Sequence, residues 1–232
     1  MKSFFRASLT AIAFLFAFNI FAVIETKAQG PLGEALNRMN IHNKSLTSLR
    51  ANIEMQKYNA QLEDADVPLK GKAMYLPKKG RNAYVRIDWL EPVAESLAVV
   101  DKDYMLYRPR LKQAIVGNVD KAQGSGKSNN ALSFINMSKA QLKANYSIVY
   151  IGQETISGGI ETWHIELTPK KVMSYKKADL WVDGDGMPRQ MKVTENNKDT
   201  TTVLLTNIEK NPSLKGPDFE IKLPEDTKIV KG

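Results

Sequence analysis

The stretch of sequence that decides the fold is YVRIDWLEP, at residues 84–92. Val85, Ile87 and Trp89 are large and apolar, whereas Arg86 and Asp88 between them are charged. Strict alternation of this kind predicts a β-strand with one apolar face and one solvated face. The question that the sequence raises is what the apolar face contacts.

The same alternation recurs along most of the chain. Turn-forming residues separate the alternating segments at intervals of about ten residues, which predicts an antiparallel meander rather than parallel βαβ units. We predict a last short strand around Phe219, Ile221 and Leu223. The other predicted strands cover residues 49–61, 69–77, 84–92, 95–101, 104–108, 111–117, 146–156, 160–169, 175–182, 187–195 and 200–209.

Two segments interrupt this pattern with helical spacing. Residues 31–45 open with a proline and place Leu36 and Met39 on one face, which predicts a short amphipathic helix. Residues 131–144 have roughly helical spacing, and Ser138 is a suitable N-cap within them. We therefore predict two or three short helices in the whole chain.

These elements define the fold class as α+β. A sheet of about eleven strands must curl strongly or close on itself, and its apolar face needs a cover. The helices are the cover that the sequence offers. We predict a strongly curved antiparallel sheet, an unclosed half-barrel, with the short helices as a lid.

The first 28 residues have the pattern of a secretory signal peptide. Two basic residues precede a long apolar run over residues 7–24, and small residues precede a cleavage point after Ala28. The alternative is a retained membrane anchor, because the run nearly reaches the ~20 residues that span a bilayer. No basic stop-transfer cluster follows the run, which favours cleavage. We predict an exported, periplasmic protein with a single domain over residues 29–232.

The amino-acid composition excludes several classes of function. Of 33 Lys and Arg and 25 Asp and Glu, three and one fall in residues 1–28, which leaves 30 and 24 and a net charge of about +6. This excess suits an anionic surface or an acidic partner, but the basic residues are too evenly spread for nucleic acid. The chain has no cysteine, which excludes disulfides, thiolate catalysis and cysteine metal sites.

Two short motifs resemble ligand-binding loops. GSGKS at residues 124–128 would need a glycine at position 121 to form a phosphate loop, but that residue is Lys121, so we interpret the segment as a linker. DGDG at residues 183–186 resembles the start of a calcium loop, but Thr194 stands where the last ligand, a glutamate, belongs. Asp-Gly between two alternating strands predicts a hairpin instead.

No residue pattern indicates an enzyme. We predict that both histidines, His42 and His164, are surface residues, because neither has a partner at the spacing of a catalytic triad or a metal site. The acidic cluster at residues 63–66 is typical of a solvated connection. The sequence therefore predicts no catalytic residues, no metal site and no cofactor.

The apolar face of the sheet is the remaining functional signal. Two interpretations stay open: an ordinary core packed under the helices, or the lining of a cavity for an apolar ligand. The residues that we assign to this face are Ile53, Met55, Val85, Ile87, Trp89, Leu97, Val99, Trp163, Ile165, Leu167, Leu180, Val182, Met191, Val193, Val203 and Leu205.

A family resemblance favours the cavity. The order of elements and several local motifs resemble the LolA-type outer-membrane lipoprotein carriers, which are periplasmic chaperones. The resemblance covers nearly all of residues 29–232. The matching motifs are GKAMYLPKK (71–79), YVRIDWLEP (84–92), YRPRLKQ (107–113), LTP (167–169), DGDG (183–186), Asn207 and FEIKLP (219–224).

The resemblance implies an unclosed barrel whose apolar cavity binds the acyl chains of lipoproteins. It implies transfer from an inner-membrane ABC transporter to an outer-membrane receptor, by a protein that we expect to be a monomer. The alternative is a module of the same fold that carries another lipid or senses envelope stress. A dedicated sensor usually has a further domain, for which 232 residues leave little room. An enzyme is the third and weakest hypothesis.

Two positions depart from the family pattern. The family commonly has an arginine at the end of the second strand, and its hydrogen bonds hold the helical lid shut. The matching position here is Lys79, and Arg81 follows two residues later. Because lysine is a poor substitute for the forked guanidinium, we predict that Lys79 or Arg81 forms the lid latch. The family's Asp-Gly turn before the fifth strand is Asp101-Lys102 here.

Overall fold

The computed structural model describes residues 30–78, 83–119 and 134–232. They contain α1 (Pro31–Ser45), α2 (Lys139–Asn145) and 3-10 helices at Pro109–Leu111, Phe134–Asn136 and Gly216–Phe219. The strands are β1 (Leu49–Asn59), β2 (Asp64–Ala65), β3 (Leu69–Leu76), β4 (Tyr84–Glu91), β5 (Glu95–Val100), β6 (Asp103–Arg108), β7 (Gln113–Asn118), β8 (Tyr146–Ile156), β9 (Ile160–Pro169), β10 (Tyr175–Asp183), β11 (Pro188–Glu195), β12 (Thr200–Lys210) and β13 (Lys228–Lys231).

All the described strands belong to one sheet. Its order is β13-β7-β6-β5-β4-β3-β1-β12-β11-β10-β9-β8, with β2 paired only to β1. Every pair is antiparallel except β13 with β7. The ends of this order, β13 and β8, are not paired to each other, so the curved sheet is unclosed. This confirms the predicted α+β half-barrel and its antiparallel meanders.

The opening motif behaves as its alternation predicts. Ile87 is 1% exposed and Trp89 is 8% exposed, and both join the main core. Arg86 and Asp88 lie on the opposite face, where they form an ion pair. We call the face that carries Ile87 and Trp89 the inner face, and the opposite one the outer face.

Local irregularities bend the strands of the sheet. The pairing register shifts within β1, β3, β8 and β10, and such bulges increase twist and curvature. At the register shift between β3 and β4, where Leu90 of β4 is the extra residue, a Cβ on Gly71 would lie 2.2 Å from the carbonyl oxygen of Asp88. Only glycine permits this close approach of two backbones.

The helices cover the inner face at one side of the sheet. α1 contacts β8, β9 and α2, and the 3-10 helix at Phe134–Asn136 contacts β11. Ser138 caps α2 by accepting a hydrogen bond from the backbone N–H of Gln141, whose side chain bonds back to the N-cap. We call α1, this 3-10 helix and α2 the lid. In the described parts of the chain, neither α-helix is long and apolar enough to cross a bilayer.

The predicted tail strand is wrong. Phe219 ends a 3-10 helix, residues 220–224 form no strand, and the last strand is β13 instead. Phe219 is fully buried on the outer face, edge-on to Tyr84 at 5.8 Å, and Arg86 donates hydrogen bonds to the carbonyls of Asp218 and Glu220. The Arg86 side chain thus forms hydrogen bonds with backbone carbonyls that a neighbouring strand would otherwise bind.

The strand count also differs from the prediction. The structure has thirteen strands rather than about eleven, because β13 and the two-residue β2 were not foreseen. β2 lies inside the polar connection at residues 63–68, where the sequence shows no apolar alternation. The two α-helices agree with the predicted two or three. The predicted signal peptide and the linker at residues 124–128 lie outside the described residues.

Candidate functional site

Most of the residues assigned to the apolar face lie together in the structure. One buried cluster contains Ile53, Met55, Ile87, Trp89, Ile165, Leu167, Leu180, Val182, Met191, Val193, Val203 and Leu205. Val85 is half-buried against this cluster. Leu97, Val99 and Trp163 lie outside it: Val99 is 9% exposed and the other two are half-buried. The sheet thus gathers its apolar side chains on one face.

The lid packs against this face. Side chains from all three lid helices join the same cluster, and each is at most 5% exposed: Leu36, Met39, Phe134, Ile135 and Leu142. In this arrangement the inner side chains pack against the lid. Their role as acyl-chain contacts stays a prediction.

Arg38 attaches α1 to the rest of the molecule. Its guanidinium donates a 2.6 Å hydrogen bond to the carbonyl of Gly184, in the hairpin between β10 and β11. The same group lies 5.4 Å from the ring centroid of Trp163 on β9, within the range of a cation–π contact. A 2.6 Å ion pair to Glu34 holds the guanidinium from within the helix.

The hairpin at residues 183–186 is shaped to receive α1. Gly186 has φ +83, and a Cβ on it would lie 2.2 Å from the backbone carbonyl of Arg38. Asp183 stabilises the turn by accepting hydrogen bonds from the backbone N–H groups of Asp185 and Met187. The predicted hairpin is therefore confirmed, and it is also the docking point of the lid.

The second lid helix is joined to α1 and to the sheet. Lys139 on α2 donates a hydrogen bond to the side chain of Asn37 on α1. Lys170, just beyond β9, donates a 2.6 Å hydrogen bond to the carbonyl of Lys143 near the end of α2. Leu142 faces the core at 0% exposure. These polar contacts and the buried apolar side chains together hold the lid.

His42 is not a surface residue, contrary to the prediction. It lies on the buried side of α1 at 4% exposure, because α1 packs against the hairpin at that point. Its Nε2 atom has no hydrogen-bond partner among the described residues. Burial lowers the pKa of His42, with a smaller lowering effect from Lys210. The neutral imidazole is thus the form that the docked helix accommodates.

His164 is also more enclosed than predicted. It lies on the outer face, as alternation with Trp163 requires, but its ring stacks on Trp181 with centroids 4.3 Å apart. Its Nδ1 and Nε2 atoms lie 2.7 and 3.0 Å from carboxylate oxygens of Glu154 and Asp179. Hydrogen bonds from Trp181 and then His164 lower the pKa of Glu154. This network joins β8, β9 and β10.

The predicted latch residues, Lys79 and Arg81, lie outside the described residues. The neighbouring Lys78 is described, and its ammonium lies 4.5 Å from the centroid of the Tyr84 ring on the outer face. Arg38, Gly186 and His42 were missed as lid residues. Their sequence signals were ordinary: a Glu-Arg pair at helical spacing, a hairpin glycine and a lone histidine.

Comparisons with known proteins agree with this architecture. The sequence profile of the family described as outer membrane lipoprotein carrier protein LolA matches residues 78–222. An uncharacterized conserved protein from Thermus thermophilus shares the fold with a TM-score of 0.54 and 14% identity, over 87% of this chain and 99% of that one. The MucB structure also shares the fold, with a TM-score of 0.50 and 12% sequence identity, over 82% of this chain and 62% of that one. No curated protein sequence matches.

Proposed function

The chain belongs to the outer membrane lipoprotein carrier LolA family, and we propose that it is a non-enzymatic periplasmic carrier of acylated lipoproteins. The acyl chains would bind to the inner face after the lid has moved. The single observation that supports this proposal is an apolar inner face that short helices cover.

The energetics of the lid suit a reversible carrier. Five lid side chains are buried against the inner face, and each contributes roughly 1.5–3 kcal/mol, or about 8–15 kcal/mol together. An acyl chain of ~16 carbons gains about 13 kcal/mol at ~0.8 kcal/mol per methylene. For one acyl chain taken from water, replacement of the lid is therefore a nearly balanced exchange, which favours reversible binding.

The cellular setting of the proposal follows from the family. We propose that residues 1–28 direct export and are cleaved, and that residues 29–232 form one carrier domain that acts as a monomer. An inner-membrane ABC transporter would supply the lipoprotein, and an outer-membrane receptor would accept it. A module of the same fold that binds another lipid, or senses envelope stress, is the alternative.

A cross-linked lid tests the proposal. Because the natural chain has no cysteine, Arg38→Cys and Gly184→Cys can be joined by a short bismaleimide. The hydrogen bond between these residues places them within reach, and a side chain at Gly184 meets open space. We expect saturable binding of acylated lipoprotein before cross-linking and its loss afterwards.

A matched cross-link provides the control. Arg50 and Glu209 form a 2.6 Å ion pair between β1 and β12, away from the lid. Cysteines at these two positions, joined by the same reagent, should leave binding unchanged. Folded protein that binds no acylated lipoprotein would refute the carrier proposal. Equal binding by the open and the lid-locked forms would refute the role of the lid.

A further inference from the structure

A cavity of about 730 Å³ lies on the outer face, away from the lid. The segment at residues 219–221 crosses this face and forms one side of the cavity, and strands β5, β6 and β7 form the floor. The side chains that line the cavity are mostly apolar, from Ala98, Val100, Tyr104, Met105, Val116, Phe219 and Ile221, and the polar ones are Asp103, Asn118, Glu220 and Lys231.

The register of the strands assigns the floor to the outer face. Ala98 pairs with Arg86 on β4 and with Met105 on β6, and Met105 pairs with Val116 on β7. Side chains of directly paired residues project from the same face of a sheet. Since Arg86 lies on the outer face, Ala98, Met105 and Val116 do so as well. These floor side chains thus lie on the opposite face from Ile87 and Trp89, and the cavity also touches Tyr104 and Gly117, which pair in register with Val99 on the inner side.

A hydrogen-bond network holds the side wall in place. Asp88 accepts hydrogen bonds from Arg86 at 2.9 Å and from Ser96 at 2.6 Å. The same Arg86 donates to the backbone carbonyls on either side of Phe219, at 3.1 and 2.8 Å. Phe219 itself is fully buried and packs against Tyr84. The wall is therefore pre-formed before any ligand binds.

The cavity has an apolar floor and a polar rim. On the floor, Val100, Met105 and Val116 are half-buried, so a ligand can cover them further. Asp103, Glu220 and Lys231, all exposed, lie at the rim. An apolar body on the floor with a polar end at the rim matches this arrangement. The volume lies within the ~300–1,000 Å³ that is usual for small-molecule sites.

We propose that this outer cavity binds the alkyl chain of a single-chain amphiphile, such as a free fatty acid. An alkyl chain needs no hydrogen bonds from the apolar floor, and its polar end remains solvated at the rim, where Lys231 is the cation beside Asp103 and Glu220. A lipid with two or three chains would leave the others in water. The inference is independent of lipoprotein carriage, which uses the inner face.

Fluorescent cis-parinaric acid, titrated into the full mature chain, tests this site. We expect saturable binding that palmitate displaces. Val116→Trp should fill the cavity and weaken binding at least tenfold. Val149→Trp is the matched control, because Val149 is an exposed residue on the outer face of the distant edge strand β8, and it should bind like the natural chain.

Two further variants separate this site from the lid. Ile221→Trp fills the cavity from the wall and gives an independent result if Val116→Trp does not fold. The lid-locked Arg38→Cys/Gly184→Cys protein should keep its affinity for parinaric acid. Equal binding by Val116→Trp, Ile221→Trp and Val149→Trp, or loss of binding in the lid-locked form, would overturn the inference. Neither result bears on lipoprotein loading, which the proposed carrier function predicts separately.

Discussion

At the scale of single residues, Arg38 shows how a short-range pattern can carry a long-range role. In the sequence it forms an ordinary pair with Glu34, one helical turn away. In the structure its guanidinium also reaches Gly184 and Trp163, far along the chain. Helical spacing predicts the first contact, but it holds no information about the strands on which the helix lies.

Replacing Arg38 should loosen the lid. Arg38→Leu removes a hydrogen bond worth about 1 kcal/mol and a cation–π contact worth about 0.5–1 kcal/mol. Local opening of α1 should therefore rise roughly 5–30-fold, as measured by hydrogen exchange of its backbone amides. Arg50→Leu removes a similarly exposed arginine from β1 and should leave α1 protected. Equal protection of α1 in both variants would contradict this role.

Buried His42 makes stability depend on pH. Burial lowers its pKa in the folded protein below the ordinary value of 6.5, so the unfolded chain binds the proton more readily. The stabilising effect of the neutral form is complete above about pH 6.5 and decreases as the pH falls below it. Urea unfolding between pH 7.5 and 5 measures this loss.

A change to a non-titrating side chain isolates the effect. His42→Leu should reduce the loss of stability between pH 7.5 and 5, because that position no longer takes up a proton. His164→Gln leaves His42 in place and should retain the loss. Among the charged groups near His42, Lys210 and Arg189 lower its pKa, whereas Asp183 and Asp185 raise it. An unchanged pH dependence in His42→Leu would contradict the role of His42.

Substitutions at Lys79 and Arg81 test the predicted lid latch. We expect Lys79→Leu or Arg81→Leu to change the rate at which acylated lipoprotein is loaded or released, because the family resemblance assigns the lid latch to one of these two cations. Loading and release can be followed with fluorescent lipoprotein and acceptor vesicles. If both variants transfer lipoprotein at the normal rate, Arg38 is the stronger candidate for the latch.

At the scale of secondary-structure elements, the β10–β11 hairpin positions α1. Gly186→Ala should displace the helix, because its Cβ would lie 2.2 Å from the backbone of Arg38. Gly159→Ala in the β8–β9 turn is the matched control: Gly159 also has positive φ, +72, but its Cβ would meet no atom within 4 Å. Both variants incur about 1 kcal/mol for the left-handed conformation.

Only the hairpin variant should show a further loss of about 1–3 kcal/mol from the clash. The measurement is the free energy of unfolding, together with proteolysis of α1. We expect faster proteolytic cleavage in α1 for Gly186→Ala only. Identical behaviour of the two alanine variants would mean that the helix does not depend on this close contact.

The sequence predicted strands correctly where apolar and polar residues alternate and one face of the strand is buried. β1 and β4 were predicted almost to their ends, because their apolar and polar residues alternate strictly. The segment with Phe219 and Ile221 alternates too, yet its backbone binds Arg86 rather than a neighbouring strand. Alternation indicates which side chains are buried, but it does not indicate which groups form hydrogen bonds with the backbone.

At the scale of the whole molecule, the order of strands could not be predicted from local patterns. β1 lies between β3 and β12, so the end of the second meander returns beside the first strand. This pairing joins residues about 150 positions apart, such as Ile53 and Leu205. The inner face was predicted as a set of residues, but its closure by the lid depends on contacts that only the folded chain reveals.

The central claim is that acyl chains replace the lid on the inner face. Photo-cross-linking with a lipoprotein that carries a diazirine in its acyl chain, followed by mass spectrometry, tests this most directly. The account predicts adducts on inner-face residues such as Met191 and Leu205, and their loss in the lid-locked protein. Adducts confined to the outer face, or saturable binding without any adduct on the inner face, would contradict it.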